Sequence, residues 1–543
     1  MPALELVLIL VAVAAALQLV AVRFRIPMPA LLVAVGGVLA AIPGLPHVEF
    51  SPDLIFLLFV PPLLYAGAQS TSWREVRARQ GPILSLGIGA VVFTTIGVAL
   101  IAHAFIPDMA WPSAFALGAI VAPPDPVAAQ AVLRPLGVSR SVETILEGEG
   151  LANDATSLIL YRAAIVAALS GHFSLGGTAL RILIAGTGGV AIGLGIAEVV
   201  LWLGRHFRWI PVVENTVSLL IPFAAYIPAD RLGASGVLAV VAAGIRFAHN
   251  SPHVFTAAGR VQHESMWALI EFVMESLIFI FVGLELPVVI RGLNGYPLAN
   301  VLRDVGIVTL VCIVTRFLWG FPSAWFTRRV ERRKGRNVWP EVIFVAWAGV
   351  RGADSLVIAL ALPLAIQNRA IIIVITFGVI VATLVAQGFT LGPVVRLLKL
   401  GGAGDSQDDQ EEARAWIAAT NAALARLDVL ARSLRNSPDA TKALDLLRQT
   451  YVQKRTFWEK GGRGSRLGKE LLQEHRIARQ VLEEACGALF QERDHGHIDD
   501  AVARHVERYF DLQTMLLDYP DWDIDESPFE ALAPPPADED REG

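Results

Sequence analysis

From residue 3 to about residue 398 the chain is a succession of apolar runs, each close to the ~20 residues a helix needs to cross a bilayer. About thirteen can be marked by that criterion: 3–22, 28–42, 51–68, 83–106, 112–136, 145–170, 178–204, 212–229, 232–248, 268–290, 300–327, 339–362 and 370–398. The pattern predicts an all-α polytopic membrane protein. After Gly401-Gly-Ala-Gly404 it changes to a charged, amphipathic one. Apolar residues then recur at helical spacing, as in Ile417, Leu424, Leu427 and Leu434, in Leu444, Leu447 and Tyr451, and in Val502, Val506, Tyr509 and Leu516. The expected organisation is a membrane domain over 1–400, a helical cytoplasmic domain over 401–526 and a disordered, proline-containing tail over 527–543.

Composition agrees with this reading. Of the 543 residues 54% are hydrophobic and 17% charged, against about a quarter charged in soluble domains. Counting acids against bases from residue 401 onward gives 29 and 18, a net −11, which leaves +6 of the total −5 for the membrane part. Arg23 and Arg25 follow the first apolar run and no basic residue precedes it, so a retained helix is expected there and not a signal peptide. Loops after odd-numbered runs are rich in arginine: Arg74/Arg77/Arg79, Arg134/Arg140, Arg205/Arg208, Arg246/Arg260 and the cluster from Arg328 to Arg336. Loops after even-numbered runs hold little beyond Arg231, Arg291, Arg303 and Arg369. Basic loops stay in the cytoplasm, which predicts a multi-pass protein of the cell (inner/plasma) membrane with its N-terminus outside and its C-terminus inside.

Several chemistries find no support. Cys312 lies in a run and Cys486 in the tail, which implies no disulfide framework. His495 and His497 flank a glycine in an acidic loop and read as solvated. No phosphate-cradling loop, nucleophilic triad or nucleic-acid-binding pattern stands out, so neither an enzyme nor a cofactor is expected. The tail reads as a small bundle stabilising a homodimer, or as a regulatory sensor.

Two runs cannot be continuous helices. The fifth contains Val121-Ala-Pro-Pro-Asp-Pro126, and proline both lacks an amide donor and clashes with the preceding turn. The twelfth contains Trp347-Ala-Gly-Val-Arg-Gly-Ala-Asp354, with Gly349 and Gly352 on either side of Arg351. They are seven places apart in the series, an odd shift, so they traverse the membrane in opposite directions. Matching interruptions in two halves of a transporter mark a binding site built from inverted repeats. The sixth run carries Glu147, Glu149, Asn153 and Asp154. Spacing of seven puts Asp154 on the face of Glu147, and spacing of four puts Asn153 on that of Glu149. Asp154, beside a neutral polar residue and with no obvious basic neighbour, reads as an ion or proton carrier, because intramembrane acids are costly unless functional. Glu149 reads as half of a buried ion pair with Arg351 or Arg316. Asp125 either binds cargo or compensates a half-helix N-terminus, the second being favoured. Glu271 and Glu275 are i,i+4 neighbours that suit an entry funnel or an interface.

At these residues the chain resembles the bacterial sodium/proton antiporters of the monovalent cation:proton antiporter-1 group. The stretches that carry the resemblance are Pro61-Pro-Leu-Leu-Tyr65, Pro124-Asp-Pro126, Leu146-Glu-Gly-Glu149 with Asn153-Asp-Ala-Thr156, Phe281-Val-Gly-Leu-Glu-Leu286 and Trp347-Ala-Gly-Val-Arg-Gly352. Arg493-Asp-His-Gly-His-Ile-Asp-Asp500 is similar to the cytoplasmic extension of many bacterial members. The resemblance implies thirteen helices, two crossing broken helices, a dimerisation domain and elevator-like alternating access. It implies Asp154 as the carrier that transiently holds Na+, Asn153 beside it, Asp125 at the crossing, and a Glu149–arginine pair. Pro124 and Gly150 stand where relatives often carry hydroxyl residues, which opens the question of Na+ against Li+ or K+. Asp354 stands where an uncharged residue is usual and is a further candidate oxygen donor, as is Glu147.

The mechanism expected is competition at one carboxylate. Burial disfavours a bare charge, so a proton or a dehydrated cation held by oxygen ligands neutralises it before it crosses. One aspartate carries one charge per half-cycle, which predicts electroneutral one-for-one exchange of Na+ for H+ across the lipid bilayer. Potassium/proton exchange is the nearest alternative. A non-transporting sensor and an organic-anion symporter are rivals of other classes, the latter disfavoured by the excess of acids over Arg351 at the breaks.

Overall fold

The computed structural model describes residues 3–41, 52–126, 140–170, 175–285, 296–331, 339–400, 405–433, 438–462 and 466–518, a few single positions in these ranges aside. Arg25, Arg134, Arg291, residues 332–338 of the basic cluster, the glycine stretch 401–404 and the expected tail 527–543 lie outside them. Among the described residues the ordered elements are all helices. The chain divides into two compact units, 1–403 and 404–543.

In the first unit the described part of each apolar run lies largely in helix. The helices are α1 (Ala3–Phe24), α2 (Met28–Ala40), α3 (Pro52–Ser70), α4 (Gln80–Phe105), α5 (Trp111–Val121), α6 (Arg140–Ser170), α7 (Leu175–His206) and α8 (Pro211–Arg231). They continue with α9 (Gly236–Asn250), α10 (Ala257–Leu284), α11 (Leu298–Glu331), α12 (Trp339–Trp347), α13 (Ala353–Leu360) and α14 (Arg369–Leu398). Among the described residues seven stretches, in α1, α4, α7, α8, α10, α11 and α14, are long and apolar enough to cross a membrane unaided. The others are shorter, interrupted or, like α6, too rich in polar residues. On α7, Leu183, Ile184, Val199 and Trp202 are exposed, a surface that suits lipid and not water.

These helices pack as two groups. In one, α7, α8 and α9 lie against one another, α10 lies along α2, and α3 packs on α9. In the other, α4, α5 and α6 pack together with α11, which in turn holds α12 and α14. The groups meet where α3 and α9 touch α6, where α3 and α10 touch α13 and where α2 touches α14, among other places. Within α4 the turn Ser85–Ala90 is a π-helix, a local widening that recurs at functional sites. It packs against α6 beside Glu149 and Ala152.

In the second unit α15 (Asp405–Ser433) pairs with α16 (Pro438–Glu459), and α17 (Arg466–Asp494) with α18 (Asp500–Asp518). Trp416 stacks on Trp458 with ring centres 5.9 Å apart, closing the first hairpin over Leu427 and Phe457. On the second hairpin Val502, Tyr509 and Leu516 keep their helical spacing but remain exposed.

Candidate ion-translocation site

The two interruptions meet. Helix α5 stops at Val121, ahead of Pro123-Pro124, and α12 stops at Trp347, ahead of extended backbone that ends at Gly352. The Asp125 N–H donates to the Val350 carbonyl at 2.7 Å, joining the two non-helical stretches directly. Backbone that would otherwise lack partners at membrane depth is thereby satisfied by protein.

Each half-helix that ends at the crossing exposes carbonyls carrying partial negative charge, and each receives an arginine. Arg351, 1% exposed, donates through Nη1 to the Ala122 carbonyl at the end of α5, at 2.5 Å. Its own N–H donates to Thr383 Oγ1 on α14 at 3.1 Å. Arg316 on α11 donates through Nε and Nη2 to the Val345 carbonyl in the last turn of α12, at 3.2 and 3.0 Å. Arg316 also grips Glu149 with two bonds of 2.5 and 2.8 Å, both side chains being almost fully buried. Of the two arginines the sequence offered to Glu149, Arg316 makes the bonded pair, and Arg351 is turned to the α5 terminus.

The opposite charge sits at the half-helix that begins at the crossing. A Cβ on Gly352, the N-cap of α13, would overlap the Asp125 carboxylate, so the acid rests against that N-terminus where a negative charge is favoured. Asp354 lies in the first turn of the same half-helix.

Helix α6 brings Asp154 to this crossing. Ser157 Oγ donates to the Ala119 carbonyl of α5 at 2.7 Å, and Asn153 Nδ2 donates to the Pro124 carbonyl at 2.8 Å. The two faces of α6 separate as their spacing requires: Glu149 and Asn153 are buried, while Glu147 and Asp154 are half-buried. Asp154 lies within electrostatic reach of Asp354 and Asp125. Asn153 Oδ1 is fully buried and accepts no hydrogen bond among the described residues, while the donor end of the same amide is spent on Pro124. Oxygens of this kind beside a carboxylate can coordinate a hard monovalent cation. Among the described residues no cluster of histidine, cysteine and acid has the arrangement of a resident metal site.

Gly150 has a local reason. A Cβ there would run into the Pro126 ring, so the proline fills the place a side chain would take. Glu271 and Glu275 lie half-buried on α10, in the other group of helices. Sequence reasoning missed Thr383, which fixes Arg351, and the helix-capping role of both arginines. A threonine within the apolar run 370–398 gave no sign of its partner.

The profile of the sodium/hydrogen exchanger transmembrane family matches residues 8–397. Over 517 residues the chain is 31% identical to an uncharacterized Na+/H+ exchanger of Mycobacterium tuberculosis, covering 91% of this chain and 92% of that one. It is 31% identical over 387 residues to a sodium, potassium, lithium and rubidium/H+ antiporter of Bacillus pumilus, covering 67% of this chain and 57% of that one. The sodium proton antiporter MjNhaP1 of Methanocaldococcus jannaschii superposes with a TM-score of 0.59 at 18% identity, over 74% of this chain and 98% of that structure.

Proposed function

The chain belongs to the sodium/hydrogen exchanger family of cation/proton antiporters, and from that premise we propose that it exchanges Na+ for H+, one for one, with Asp154 as the shared carrier. The observation that carries the assignment is the orphaned, buried Asn153 Oδ1 beside Asp154. A free oxygen in that position can be satisfied either by a cation or by the O–H of a protonated Asp154 carboxyl, so the same site can hold one ligand or the other in turn. Asp154 binds either, and Asn153 Oδ1 supplies a neutral oxygen to the cation. Asp354 contributes a further oxygen from the α13 N-terminus. Asp125 balances the α13 dipole, while Glu149, Arg316 and Arg351 hold the two breaks in register.

The remaining assignments follow the same reading. Thirteen transmembrane spans, an odd number, put the termini on opposite sides, and the basic loops favour an outside N-terminus with residues 401–526 in the cytoplasm as a helical domain that supports a homodimer, ahead of a tail over 527–543. Potassium/proton exchange is the second reading. It is favoured by Pro124 and Gly150, which leave hydroxyls out of the ligand shell, and by the breadth of cations in the name of the Bacillus relative.

Proteoliposomes with a trapped pH dye test this directly. Titrating Na+, Li+ and K+ in turn should give saturable, cation-dependent dequenching that is strongest with Na+ and absent in Asp154→Asn. With one proton displaced per cation, apparent cation affinity should change by about tenfold per pH unit in the range where protons compete, by mass action. A dependence near a hundredfold, or a response to an imposed membrane potential, would refute one-for-one exchange.

A further inference from the structure

The second end of α6 is tied to the other group of helices. Arg162 Nη2 donates to Asp230 Oδ1 at 2.9 Å, with side chains 49% and 44% exposed. Arg162 lies eight residues beyond Asp154 on the same helix, about 12 Å along its axis. It belongs to the group that holds the crossing, because α6 is bonded to α5 through Asn153 and Ser157 and to α11 through Glu149.

Asp230 belongs as firmly to the other group. It is the penultimate residue of α8, whose end is closed by Gly233 N–H on the Asp230 carbonyl at 3.0 Å and Ala234 N–H on the Ala229 carbonyl at 2.8 Å. Gly233 takes a positive φ of 72° to make that closure. The turn is then pinned to α7 by Ser235 N–H on the Ala185 carbonyl at 2.8 Å. An acid at a helix C-terminus is set against the helix dipole, so Asp230 is not there for the stability of α8. Its placement is explained by the cation it meets across the boundary.

We propose that Arg162–Asp230 is a latch between the helix bearing the carrier carboxylate and the neighbouring helix group, which biases the protein toward the arrangement seen here and must open when α6 moves. The idea rests on the exchange reading, since a latch matters only if α6 changes its position relative to α8. Half-exposed pairs are weak, and that is what a latch in a working cycle requires: a bias of up to about fivefold, not a lock. Arg246 and Glu198 form a comparable surface pair, but between α9 and α7 inside one group. That pair has no boundary to latch and supplies the control.

Two measurements in proteoliposomes of known orientation test the latch. Arg162→Gln and Asp230→Asn should each shift the apparent cation affinity in opposite directions at the two membrane faces, by about two- to fivefold. The reversed pair Arg162→Asp with Asp230→Arg should return both faces toward wild type, and Arg246→Gln should move neither. Separately, Arg162→Cys with Asp230→Cys in a Cys486→Ser background should lose cation-dependent proton flux when bridged by a short, reducible thiol cross-linker, and regain it on reduction. Full flux in the bridged protein, or single variants that shift both faces equally or not at all, would overturn the latch while leaving exchange intact. Wild-type protein without cation-dependent flux would overturn the exchange reading and the latch with it.

Discussion

The two breaks at the crossing solve the same problem with different charge arrangements. Both end a half-helix in a partly negative terminus inside the membrane domain, and both answer it with a buried arginine. At α12 the arginine is Arg316, whose charge is matched by a two-point pair with Glu149. At α5 it is Arg351, which bonds the Ala122 carbonyl directly and leaves its Nε without a hydrogen-bond partner among the described residues. Thus the α12 end is closed by a bonded ion pair, whereas the α5 end holds an arginine with no bonded acid among the described residues. The lesson is a division of labour: at one break the arginine's charge is matched by a bonded acid, and at the other it is spent on a helix terminus.

The comparison is sharpest in the cost of losing each arginine. Arg316→Met strands Glu149 as a buried unpaired charge and should destabilise the detergent-solubilised protein by about 3–5 kcal/mol, read as a fall in melting temperature. Adding Glu149→Leu to Arg316→Met should recover most of that loss, because a buried pair replaced as a whole by apolar groups costs little. A middle-sized effect is expected at the α5 break. Gly150→Ser forces a side chain into the Pro126 ring and should cost about 1–3 kcal/mol, so the added hydroxyl alone should not raise cation affinity. A change no larger than that is expected for Arg351→Met, at about 1.5–3 kcal/mol for one lost charged bond to a helix terminus, with its main consequence in the pH profile of exchange. Equal melting temperatures for the two methionine variants would erase the distinction between the breaks.

Much of the first unit was legible because membrane helices announce themselves. A run such as 370–398 has to satisfy its backbone internally, and the resulting helix α14 spans Arg369–Leu398. The interruptions were equally visible, since Pro123-Pro124 and the glycines around Arg351 cannot continue a regular helix. The spacing of Glu147, Glu149, Asn153 and Asp154 sorted them onto two faces of α6, and their burial follows that sorting. The second unit was less legible. Helical spacing located its hairpins, but the same spacing on α18 left Val502, Tyr509 and Leu516 exposed, because amphipathicity names a face without naming what covers it.

By itself the sequence determined that the first unit is a set of apolar helices, where two of them break, and which acids stand on α6. All of these are local consequences of hydrophobicity, proline geometry and helical period. Only the tertiary structure decided that Glu149 takes Arg316, that Arg351 and Asp125 serve opposite helix termini, that Pro126 occupies the space above Gly150, and that Arg162 reaches Asp230. Those pairings join residues that lie from 24 to 229 positions apart, from Pro126–Gly150 to Arg351–Ala122. A charged side chain in a helix declares that it needs a partner, but the partner is chosen by how the helices cross.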